Sequence, residues 1–167
     1  METNFKIWKT IKVGTIKNPY ELLGAISGLR NVKEGFDFKN IDFGRISISN
    51  NVEEIDLVVV NSVELGLNGD NSYVTICDAA EKFGLIVCPQ ETGLQLILQI
   101  NDSDKKVYRM TPVIASKSIE SSNLDYGSMR FFFQISADDD IIRIDGKDIQ
   151  SHYVWSAHRK FIFCKKK

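Results

Sequence analysis

The residues most able to do chemistry lie close together in Cys88-Pro89-Gln90-Glu91. A cysteine nucleophile needs a base to take its proton and an acid to orient that base. Glu91 could serve as the acid, but the base would have to be His152 or His158, the chain's two histidines. Neither stands in a recognisable catalytic motif, so the alternative is a buried strand cysteine and a turn glutamate. Zinc would draw on Cys77, Cys88, Cys164, His152 and His158, none at the short ligand spacing of structural zinc sites. Asp138-Asp139-Asp140 is the densest carboxylate group, and its expected place is a solvated hairpin tip. Asp102-x-Asp104 opens like a calcium loop but lacks the later Gly and Glu.

The C-terminal tract offers a different chemistry. His152-Tyr153-Val154-Trp155-Ser156-Ala157-His158-Arg159-Lys160 interleaves rings with cations, and Lys165-Lys166-Lys167 follows. Stacking plus phosphate contact is what single-stranded nucleic acid requires. Trp155, His158, Arg159 and Lys160 are therefore the candidate binding residues. No glycine-rich phosphate loop or dinucleotide fingerprint occurs, and no cofactor or metal is expected.

Composition narrows the classes further. At 167 residues the chain fits one domain, 1–167, with residues 1–50 as an N-terminal subregion that could be more loosely attached. A hydrophobic content of 43% supports an ordinary core, and a net charge of −1 gives no global attraction to nucleic acid or anionic membranes. Three scattered cysteines argue against a disulfide framework and for a reducing compartment. The first residues lack the pattern of a signal peptide, and no apolar run approaches the ~18 residues of a membrane span. The expectation is a soluble cytoplasmic protein with no membrane partner.

Several elements can be placed. Residues 7–16 alternate as a short strand closed by Gly14. Asn18-Pro19-Tyr20-Glu21 is a helix start, and Leu22, Ala25, Ile26 and Leu29 give its apolar face. Residues 35–49 fit either two short strands or an irregular helical turn. Residues 55–60 have the β-branched continuity of a strand covered on both faces. A second helix is predicted over 72–83, ending at Gly84. Strands are then predicted at 85–88, 94–100, 107–115, 129–136 and 141–144, with hairpin turns at 101–104 and at Asp145-Gly146. Residues 117–127 read as a polar loop, and 153–155 and 161–163 as the last extended segments. The fold class expected is α+β, with two helices in the N-terminal half packed on a largely antiparallel β-meander.

Within this frame, Gly84-Leu85…Cys88-Pro89-x-Glu91-x-Gly93…Leu96-x-Leu98 resembles a group of bacterial open reading frames of unassigned function. That group has a helix ending in Leu-Gly-Leu and then Cys-Pro-x-Glu-x-Gly. Further counterparts are Ile55-Asp56-Leu57-Val58, Glu64-Leu65-Gly66 and Trp155…Phe161-Ile162-Phe163, so the likeness spans roughly 55–163. The resemblance implies no activity. Ile97 stands where similar sequences place an Arg, and Met110-Thr111-Pro112 where they place Met-Glu-Pro. A charged site built on that Arg and Glu would be altered here.

The leading reading is a small non-catalytic binding or regulatory protein, bacterial or encoded by a mobile element, acting on a protein or small-molecule ligand. One alternative is a hydrolase of nucleotides or RNA using Glu91, Arg109, His158 and Arg159. The other is an RNA-contacting module built on the C-terminal tract.

Overall fold

The structure, a computed structural model, describes residues 4–121, 129–149 and 153–167. Its strands are β1 (Lys9–Val13), β2 (Val32–Glu34), β3 (Glu53–Val60), β4 (Asn71–Ser72), β5 (Leu85–Ile86), β6 (Val113–Ile114), β7 (Ile119–Glu120), β8 (Arg130–Asp138), β9 (Ile141–Ile149), β10 (Val154–Trp155) and β11 (Phe161–Lys165). The helices are α1 (Pro19–Ser27), α2 (Tyr73–Glu81), α3 (Thr92–Leu98) and α4 (Lys105–Tyr108). Nine strands form one curled sheet, a half-barrel ordered β1-β3-β11-β6-β8-β9-β2, with β5 also on β11 and β7 also on β8. β10 and β4 make a separate two-stranded ladder.

This corrects the expected α+β meander. The sheet is mixed, since β6 runs parallel to β11 and β2 parallel to β9. Its helices are spread along the chain, two of them beyond residue 90, and the first strand belongs to the main sheet through β3. The reason lies in strands that are apolar on both faces. Phe161 and Phe163 of β11 face one core, with Val58, Val60, Phe132 and Trp155, while Ile162 and Cys164 face the other, with Leu57, Phe131 and Phe133. Such strands need cover on both sides. α2 supplies it on the first side through Ile76, Ala79 and Ala80; α1, α3 and α4 supply it on the second through Leu22, Leu94 and Tyr108.

Local signals explain where the elements start and stop. The Asn18 side chain accepts from Tyr20 N–H at 2.8 Å and so caps α1, and Ser72 caps α2 by accepting from Thr75 N–H at 3.2 Å. Gly84, at φ +70°, follows α2 in the left-handed region. Residues 35–49 contain two 3-10 turns, Phe38–Asn40 and Phe43–Arg45.

Three predicted segments take other forms. Residues 94–100 are not a strand, because Thr92–Leu98 is helical. Every residue from Thr92 to Ile97 is buried, so no solvent-facing stripe marks the helical period. Gly93 lies so close to β8 that a Cβ there would sit 2.7 Å from Phe133 Cβ. Residues 107–115 hold the end of α4 and then β6, rather than one return strand. The turn expected at 101–104 is instead a 3-10 turn with a capping box between Asn101 and Asp104, leading into α4. Finally, Asp145-Gly146 lies inside β9, and the β8–β9 hairpin turns at Asp139-Asp140, with Asp139 at φ +48°. Asp145 accepts from Asp37 N–H at 3.0 Å, Gly35 presses on its carboxylate, and Gly146 leaves room for the Phe131 ring. This Asp-Gly pair serves packing. Of the loop expected at 117–127, Ile119–Glu120 pairs with β8 and residues 122–127 lie outside the described residues.

Candidate functional site

Glu91 occupies a buried clasp rather than a cleft. Its side chain is fully buried. One oxygen accepts from Ser49 N–H at 2.8 Å and Gly14 N–H at 3.1 Å; the other accepts from Gly14 N–H at 3.0 Å and Gln95 Nε2 at 3.0 Å. Gln99 extends the pattern one turn further, bonding both the N–H and the carbonyl of Lys12. Glu91, Gln95 and Gln99 recur every fourth residue and share one face of α3. That face satisfies the outer edge of β1, a strand paired on its other side with β3. Helix side chains thus stand in for a missing strand and blunt the edge.

The remaining sequence candidates scatter. Cys88 is buried, its thiol donates to the Ile162 carbonyl at 3.5 Å, and burial pushes its pKa up, which disfavours a thiolate. Arg109 is exposed at the end of α4. Trp155 is buried in the core among Phe132, Tyr153 and Phe161, so its ring faces serve packing. His158 is exposed on the turn before β11. Arg159 donates to Gln134, and burial lowers its pKa; Lys160 pairs with Glu64 at 2.8 Å. His152 lies outside the described residues. Among the described residues, no group of three or more His, Cys, Asp or Glu side chains is placed to hold a metal ion.

The concave feature lies elsewhere, between the start of α2, the open ends of β8 and β9, and β10. It is a cleft of about 970 Å³. Its floor contains Tyr73, Phe132 and Trp155, and its sides carry Val74, Val87 and Met129. The β4–β10 ladder holds one wall by pairing Trp155 with Asn71 and Val154 with Ser72, which fixes the start of α2 against β10. Tyr73 packs on Phe132 at 4.4 Å between ring centroids and donates its hydroxyl to the Ser116 carbonyl at 2.7 Å. Burial raises the Tyr73 pKa, so the hydroxyl stays protonated.

Among the described residues, the charged ones lining this cleft are Lys117, Arg130 and Asp148, the last contributing from a strand position whose side chain faces the other core, as its partner Phe131 does. Segment 116–118 is tied down by its backbone. The Ser116 carbonyl takes the Tyr73 hydroxyl, the Lys117 carbonyl takes Ser116 Oγ at 2.9 Å, and the Ser118 carbonyl takes Gln90 Nε2 at 3.1 Å. Gln90 is itself anchored, accepting from Ser47 N–H at 2.8 Å. A second hollow, of about 470 Å³, adjoins the first and shares Val87 and Lys117 with it.

The cleft was not visible in the sequence as a site. Its residues come from six separated stretches, 72–74, 87, 116–118, 129–132, 148–149 and 153–155. Tyr73 reads as part of a helical core stripe, and Lys117, Arg130 and Asp148 are isolated charges with no spacing signal. No protein-family model, curated protein or solved structure matches this chain. No helix among the described residues is long and apolar enough to cross a membrane.

Proposed function

We propose that this is a non-catalytic binding protein that takes a small ligand in the cleft between α2, β8–β9 and β10. The observation that carries this reading is the cleft itself, concave and lined by both apolar and polar residues, Lys117 and Arg130 among them. Its volume of about 970 Å³ falls within the range of small-molecule sites. Two exposed valines of the lining, Val74 and Val87, offer apolar surface that a ligand would remove from water. Commitment of the Tyr73 hydroxyl to Ser116, and of Glu91 to the edge of β1, favours holding a ligand over making or breaking its bonds. In this reading the protein works in the cytosol, where its three free thiols stay reduced.

A fragment screen observed by amide NMR tests the proposal. Saturable hits should perturb Tyr73, Val74, Val87 and Lys117 together, and Val74→Arg should abolish them while leaving the spectrum folded. Val74 is 67% exposed, so that change does not disturb the core. Hits that map to other surfaces and survive Val74→Arg would refute the cleft as the site.

A further inference from the structure

Resting on the cleft reading, we infer that the ligand is an anion with an apolar body, its charged head on Lys117 and Arg130 and its body against Val74, Val87 and Met129. The two cations are available because their neighbours are engaged elsewhere. Arg130 lies directly across from Glu120 in the β7–β8 ladder, yet the Glu120 carboxylate is taken by Arg45. Asp148 is in register with Phe131, so its side chain faces the other side of the sheet from Arg130. Neither the Arg130 guanidinium nor the Lys117 ammonium has a hydrogen-bond or ion-pair partner among the described residues.

The backbone that carries Lys117 is also braced before any ligand arrives. Carbonyls 116, 117 and 118 each accept from a side chain, so the loop that carries it is braced from Tyr73, Ser116 and Gln90. A braced backbone loses less entropy on binding, and cationic donors gain more from a charged acceptor. Among the described residues, Lys117 and Arg130 are the cations that line the cleft. Two cations suit an anionic head. The Tyr73 hydroxyl, bonded to Ser116, does not compete for the head, and the exposed Val74 and Val87 side chains offer the body its cover.

The test compares matched acid and amide probes: octanoate with octanamide, and 3-phenylpropionate with 3-phenylpropanamide. Binding is titrated by amide NMR on the full-length protein. Each acid should bind at least about tenfold more tightly than its amide, the factor expected for one charge-assisted contact. Lys117→Met and Arg130→Met should each remove about tenfold from the acid and leave the amide unchanged. Added salt should weaken the acid alone. The relative strength of octanoate and phenylpropionate distinguishes an aliphatic from an aromatic body. Equal binding of acid and amide in the cleft would overturn the anion inference and leave the cleft reading standing. If neither probe, nor any fragment of the wider screen, shifts Val74, Val87 and Lys117, both fall.

Discussion

Removing the Glu91 carboxylate tests the edge-strand clasp. Glu91→Ala strands two backbone donors, Gly14 N–H and Ser49 N–H, in a site where the native side chain has no exposed surface. Each buried, unpaired donor costs about 1–3 kcal/mol, and the loss of Gln95's partner adds to this. A total of about 3–5 kcal/mol follows, allowing for partial entry of water. With a urea slope of about 2–3 kcal/mol per M, the midpoint should fall by about 1–2 M. Glu91→Gln keeps the shape and one acceptor oxygen but turns an NH2 group toward the donor of Gln95, so its loss should be smaller, about 1–2 kcal/mol. Hydrogen exchange supplies the local readout. In Glu91→Ala the amides of Gly14 and Ser49 should lose protection ahead of the β3 and β11 core. If the midpoint moves by less than about 0.3 M and those two amides stay protected, the clasp is not what holds the β1 edge.

Three further outcomes follow from the packing and charges. Gly93→Ala drives a methyl into Phe133 and should cost about 1–3 kcal/mol, seen as a lower melting temperature; an unchanged melting temperature would mean α3 and β8 can separate freely. Asp104→Asn breaks a buried pair in which Lys9 also donates to the Gln99 carbonyl at 2.6 Å, and should cost about 3–5 kcal/mol; replacing both partners, Lys9→Met with Asp104→Leu, should recover part of that in a double-mutant cycle. For Asp145, burial raises the folded-state pKa above its ordinary value of 3.8, so the folded protein holds this proton more tightly than the unfolded chain. Its contribution therefore weakens as pH rises from the ordinary carboxylate range through the raised folded value, and Asp145→Asn should flatten that slope; parallel pH curves for the two proteins would contradict it.

The parts of the fold that could be read from the sequence are those decided within a few residues. Asn18-Pro19 starts a helix because cap and φ constraint act locally, and Gly84 ends one for the same reason. Residues 55–60 announce a doubly covered strand through their own composition. What failed was decided by distant partners. α3 is buried all round, so its period was hidden; its Glu91-x3-Gln95-x3-Gln99 spacing and its leucines were the available helical signal. Asp145-Gly146 has hairpin chemistry, but Gly35, 110 residues before Asp145, and Phe131, 15 residues before Gly146, use it for close packing. Glu91, a catalytic candidate by sequence, is buried and accepts from the backbone of Gly14 and Ser49, contacts between residues too far apart in the chain for a local pattern to show. The cleft depends on six stretches meeting, which no local pattern encodes.

The most direct test of the central claim is a crystal structure grown with the tightest-binding fragment. The fragment should lie between Val74 and Val87, over Tyr73, with any anionic group turned to Lys117 and Arg130. A fragment bound on another surface, with the cleft left to water, would contradict it.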